Sequence, residues 1–130
     1  IREGTGVHVS NTVVKGFNEA CLDIDNDATF ANIDSGDLTI RTTTLDCATN
    51  FQVDDDDATD VAAFFLGGEG NSEGAVDLVD PFNLTAPNFA PAAVIAGGSA
   101  PADEFFEAVD YLGAVGADDW TAGWTAYPAN

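Results

Sequence analysis

Apolar and polar residues alternate with period two in two runs near the start of the chain. Val7-His8-Val9-Ser10-Asn11-Thr12-Val13-Val14 and Leu38-Thr39-Ile40-Arg41-Thr42-Thr43-Thr44-Leu45 are both rich in β-branched residues, the pattern of half-buried strands. Each is followed by a turn and a shorter alternating stretch that ends in acids, Ala20 to Asp27 in the first case and Asn50 to Asp57 in the second. Ala28-Thr29 and Ala58-Thr59 then follow the acids in the same way. The offset is 31 residues from Val7 to Leu38 and 29 from Ile24 to Val53, inside the ~20 to 45 residues of solenoid repeats. Two successive coils of a β-solenoid are predicted, with Val7, Val9, Val13, Leu22, Ile24, Leu38, Ile40 and Val53 facing inward.

Helical periodicity is weak. Asp57 to Leu66 reads as a third strand region or a single helical turn, and the pattern does not separate the two. Gly67 to Gly74 holds four glycines, whose ordering entropy predicts a flexible loop projecting from the body. From Ala75 onward Pro81, Pro87, Pro91 and Pro101 break the chain into short extended pieces. Between Glu104 and Tyr127, Phe105, Phe106, Val109, Tyr111, Leu112, Val115, Trp120, Trp124 and Tyr127 supply the bulk to plug the open end of a core. The expected organisation is coils over residues 1–66, a glycine-rich loop over 67–74, and a wrapping segment with a C-terminal cap over 75–130.

Composition narrows the partners. The chain has 130 residues, 45% of them hydrophobic, enough for one core. Its 23 acidic and 3 basic residues give a formal charge of −20. Nucleic acid and anionic lipid are excluded, because binding them requires Lys and Arg to neutralise phosphates. Membrane insertion is excluded as well, since the uncharged stretch before Asp103 is broken by Pro87, Pro91, Gly97 and Gly98. An acidic excess of this size suits a marine or saline extracellular setting, where salt screens the repulsion. The start at Ile1, without Met or a leader, predicts a segment of a longer chain.

The acids are the first candidate chemistry. With Leu22, Ile24 and Val53 inward, Asp23, Asp25 and Asp54 point outward, with Asp27 and Asp56 just beyond. Stacked coils would bring these carboxylates together, and like charges ~5 Å apart in a sheet need a counter-cation or must diverge. Calcium is the hard cation that suits clustered oxygens. The two readings are a calcium site formed by Asp23, Asp25, Asp27, Asp54 and Asp56, and a solvated acidic face. The Asp23, Asp25, Asp27 spacing echoes an EF-hand loop, but Ala28 stands where Gly is required and Asp34 where Glu is usual.

Cys21 and Cys47 lie 26 residues apart, slightly less than one coil, which leaves a bridge between neighbouring coils or two buried thiols. Trp120 and Trp124 form either a sugar-stacking platform or a wedge in the cap. Asn83-Leu84-Thr85 is a glycosylation sequon that matters only in a eukaryotic secretory route.

Three segments of the second half carry a resemblance: Val79-Asp80-Pro81-Phe82, Asn88-Phe89-Ala90-Pro91-Ala92-Ala93-Val94-Ile95-Ala96-Gly97-Gly98, and Val109-Asp110-Tyr111-Leu112-Gly113-Ala114-Val115. They resemble the closing segment of secreted right-handed parallel β-helix proteins of the pectate-lyase-like superfamily. Ala92-Ala93 departs from the Ser-Pro usual there. Asp118-Asp119-Trp120-Thr121-Ala122-Gly123-Trp124-Thr125 further resembles the C-terminus of large bacterial cell-surface and secreted proteins. The resemblance implies an all-β fold, the end of a right-handed parallel β-helix with an irregular, aromatic-rich C-terminal cap.

It also implies two kinds of catalysis to look for. Inverting glycosidases of this superfamily pair clustered aspartates with a nearby His, but His8 alternates outward on a strand with nothing near it in sequence to complete a constellation. Lyases abstract a proton with Lys or Arg beside calcium, for which only Arg2, Lys15 and Arg41 are present. The expected role is a non-enzymatic, secreted or cell-surface structural segment for adhesion or filament assembly. Its partners would be its own upstream coils or further copies of itself, joined more strongly in calcium. The alternative is the non-catalytic C-terminal part of a polysaccharide-binding or polysaccharide-degrading β-helix enzyme.

Overall fold

The computed structural model describes residues 1–54, 59–121 and 125–127. Strand β1 (Val7–Lys15) is followed by helix α1 (Asp27–Ser35), strand β2 (Leu38–Asp46), helix α2 (Val61–Gly67) and strands β3 (Ser72–Glu73), β4 (Leu78–Asp80) and β5 (Asn88–Pro91). One sheet has the order β1-β2-β3 and is parallel throughout; β4 and β5 form a second, antiparallel sheet. β1 and β2 pair at the repeat offset, Val7 opposite Leu38 and Lys15 opposite Asp46. Leu22 bridges to Phe51 in parallel, the same offset that relates Ile24 to Val53.

The chain is not an all-β right-handed parallel β-helix. Among the described residues two helices and two small sheets make a mixed α/β fold without a closed solenoid. Parallel strands require a crossover of a dozen or more residues, and a helix is its usual form. α1 shows why a helix wins here. The Asn26 side chain accepts from the Thr29 amide at the N-cap, Asp27 places a negative charge in the first turn, and Gly36 closes the helix in the left-handed conformation at φ 82°. Phe30 and Ile33, three apart, turn toward the sheet. The acidic stretch expected as a strand through Asp27 therefore holds only the isolated Leu22 bridge before α1 begins. α2 settles the ambiguous stretch before Leu66 as helix, capped by Asp60 accepting from the Ala63 amide; residues 55–58 lie outside the described residues.

The core lies between the sheet and the helices. Leu22, Ile24, Phe30, Leu38, Ile40, Leu45, Val61 and Phe65 are buried together, with Val7, Val9, Val14, Cys21 and Phe51 packed against them. Phe51 and Phe65 meet at 5.6 Å between ring centroids. Two expected inward residues do not join it. Val53 is 73% exposed, beyond the point where the Leu22–Phe51 bridge ends the pairing. Val13 is turned away by a bend at Asn11 (φ 50°) and Thr42 (φ 47°), which stand opposite each other at the repeat offset. A left-handed residue in each strand shifts the alternation by one, so Val7 and Val9 face the core before the bend and Val14 and Leu45 after it. For a β-branched Thr this conformation is costly, and it is held from outside: the Thr42 amide donates to the Glu69 carbonyl at 2.8 Å.

The glycine-rich stretch is tied down rather than projecting. Asn71 accepts from the Thr43 amide and donates to the carbonyls of Ile40 and Phe65. β3 then adds to β2, with Thr44 and Ser72 hydroxyls 2.8 Å apart. Among the described residues of the tail, Leu112 and Val115 are buried, while Phe105, Phe106 and Trp120 are exposed and so do not plug a coil end. Phe105 and Phe106 stack edge-on against each other at 5.2 Å.

Candidate functional site

A concavity runs along β1. It measures about 510 Å³ and is walled by Asn11 to Lys15 of β1, by Phe17, by Leu78, Pro81, Phe82, Phe89 and Pro91 around the β4–β5 hairpin, and by Ile95 and Leu112–Val115. Successive strand residues point to opposite faces, so a cavity touching five in a row meets the strand's edge, not one face. β1 is that edge, since the sheet order leaves its outer side without a strand among the described residues. Gly16 ends β1 at φ 75°, and a β-carbon there would stand 2.3 Å from Phe82 Cζ. The absence of a side chain thus lets the Phe82 ring lie over the strand end as one wall. Phe17, Phe82 and Phe89 remain 61%, 62% and 44% exposed, an apolar rim of the kind that marks interaction surfaces.

Two polar features sit in this wall. Lys15 pairs with Asp46 on the neighbouring strand, and Asp46 also accepts from the Val76 amide. The Lys15 hydrogen bond and then the Val76 amide hold the Asp46 carboxyl below its ordinary value. Asn11 keeps its side-chain oxygen buried without a partner, an unmet acceptor of the kind a native structure seldom leaves.

A depressed carboxylate stabilises the fold above its unfolded pKa, and this contribution is lost as pH falls through the folded value. Asp46 is ordinarily at 3.8. The stability difference between the chain and its Asp46→Asn variant should therefore hold constant above about pH 5 and shrink below it. Urea midpoints taken across that range check this; a gap that widens on acidification contradicts the assignment.

Of the residues expected to bind calcium, the described ones are Asp23, Asp25, Asp27 and Asp54. Asp23 is exposed and its carbonyl accepts from the N-terminal ammonium. Asp25 lies 3.9 Å from Arg2, Asp27 opens α1, and Asp54 is exposed with Gln52 donating to it. Asp56 lies outside the described residues. Among the described residues no three His, Cys, Asp or Glu side chains group closely enough to hold a metal. His8 is exposed against the Thr39 hydroxyl at 2.8 Å, Arg41 is exposed, and Lys15 is taken by Asp46. Cys21 and Cys47 are joined in a disulfide, 5.7 Å between α-carbons, linking the loop after β1 to the end of β2. Asn83 accepts from Thr85 in an exposed turn after β4. Trp120 is exposed and donates its indole N–H to the Ala114 carbonyl, and Trp124 lies outside the described residues.

Sequence reasoning missed the groove because its walls come from three separated stretches of chain. The visible signal was the recurrence of Phe and Pro after Leu78, which the irregular wrapping absorbed. No protein-family model, curated protein or solved structure matches the chain. No helix among the described residues is long and apolar enough to cross a membrane, and the disulfide is compatible with an extracellular or secreted protein.

Proposed function

We propose that the chain is a non-catalytic, extracellular structural segment that works by adhesion or assembly, and that the outer edge of β1 is its contact surface. The observation that carries this reading is the nine-residue edge strand with an apolar groove alongside it. An edge strand offers unpaired N–H and C=O groups as a template for another strand, and proteins without a use for such an edge blunt it with bulges, prolines or charge. β1 bends at Asn11, but the stretch beyond the bend, Thr12 to Lys15, is regular and carries one charged residue, Lys15, whose charge is answered by Asp46. The disulfide supports an oxidising compartment, and the −20 charge supports solubility in salt.

Sedimentation of the full chain at several ionic strengths, with millimolar calcium and with chelator, tests the reading when run beside the Phe82→Asp variant. The expected result is concentration-dependent association, or uptake of an added strand peptide, that Phe82→Asp lowers. Phe82 is mostly exposed, so the variant should fold. A chain that stays monomeric throughout and takes up no strand overturns it. The exposed indole of Trp120 supports a second reading, the polysaccharide-binding part of a larger enzyme, which binding to soluble neutral and acidic glycans would reveal as a loss in Trp120→Ala.

A further inference from the structure

We infer that the β1 edge takes an extended, positively charged segment of another protein, laid along the strand as an added β-strand with its apolar side chains in the groove. This rests on the reading of β1 as a contact surface and names the occupant.

Three observations lead to it. The strand's alternation sets which backbone groups are free. The Gly16 amide bonds inward to the Asp46 carbonyl at 3.0 Å, so the Val14 amide also points toward β2, and those of Val13 and Lys15 point outward. They are spaced as one partner strand requires. Beside them the groove is walled by Val13, Phe82, Phe89 and Leu112, which suits the alternate apolar side chains of a strand added at an edge.

Charge then selects among strands. Asp77 and Asp80 flank Leu78 on β4, Glu19 follows Phe17, and Asp110 precedes Leu112, all exposed. The Lys15 ammonium, the one cation of the wall among the described residues, is neutralised by Asp46. Arg2 lies against Glu3 and Asp25 at 3.7 and 3.9 Å. A second copy would bring −20 against −20, which slows encounter and penalises docking, whereas a cationic strand is steered in and retained.

Three ten-residue peptides test this by fluorescence anisotropy on the full chain at low and at high salt. One alternates Val or Thr with Lys, the second is its counterpart with Glu for Lys, and the third is the Lys peptide N-methylated at every residue, which blocks both strand edges. The Lys peptide should bind roughly tenfold or more tightly than either of the others. Its affinity should fall several-fold in Phe82→Ala and again as salt rises. Equal binding of the Glu peptide removes the charge argument, and equal binding of the N-methylated peptide removes the added strand, leaving plain ionic attraction; either result overturns the inference. If the chain instead associates with itself through β1 and ignores the Lys peptide, the inference fails while the assembly reading stands. If it does neither, both fail.

Discussion

Replacing Cys21 and Cys47 together by serine should lower the thermal midpoint by roughly 10 to 15 °C relative to the oxidised chain. The bridge closes a loop of 26 residues, for which the chain-entropy account gives about 3 to 4 kcal/mol. That is a large share of the ~5 to 15 kcal/mol by which a domain of this size is stable. Its position gives it more than a generic effect. It joins the two turns that follow β1 and β2, next to the Leu22–Phe51 bridge and the inward amide bonds from Cys21 to Thr49 and Leu22 to Asn50. Calorimetry of the oxidised and serine forms measures the shift, and a midpoint unchanged within a few degrees would mean that the parallel pair is held without the bridge.

Asn71→Ala should cost about 3 to 4 kcal/mol, although the residue is neither apolar nor part of the core. One side chain satisfies three backbone groups, accepting from the Thr43 amide and donating to the carbonyls of Ile40 and Phe65. Alanine leaves all three without a partner in a part-buried place, at about 1 to 3 kcal/mol each before relaxation and water entry. Asn71→Asp keeps the acceptor and loses both donors, so it should fall close to alanine. Urea denaturation reads the change directly. A cost under about 1 kcal/mol for alanine would show that water replaces the amide without penalty.

The legible part of the fold was the part written in local alternation. β1 and β2 pair where the β-branched runs align, and Leu22 meets Phe51 at the offset seen between Ile24 and Val53. The helices were written just as locally but in competing signals. Leu22, Asp23, Ile24 and Asp25 alternate as a strand does, and Asn26 and Gly36, which cap α1, also read as turn residues. Once α1 begins at Asp27, that residue leaves the strand on which the ladder of carboxylates was expected, and Asp56 of the second acidic run lies outside the described residues. The bend at Asn11 and Thr42 had no sequence signature, because Thr rarely adopts a positive φ; it depends on Glu69, 27 residues away from Thr42. The groove was hidden for the same reason, since its walls meet only after β1, the β4–β5 hairpin and Leu112–Val115 are assembled.

If β1's outer edge is the contact surface, its outward amides should report a partner's arrival. Residue-resolved amide hydrogen exchange, with and without saturating cationic strand peptide, measures this most directly. The amides of Val13 and Lys15 should slow by roughly tenfold or more as they gain a strand partner, while those of Leu38 to Leu45, already inside the sheet, change little. Unchanged Val13 and Lys15 amides with the peptide bound, and protection appearing instead around the exposed Phe105–Phe106 pair, would place the contact on the C-terminal segment and contradict the account.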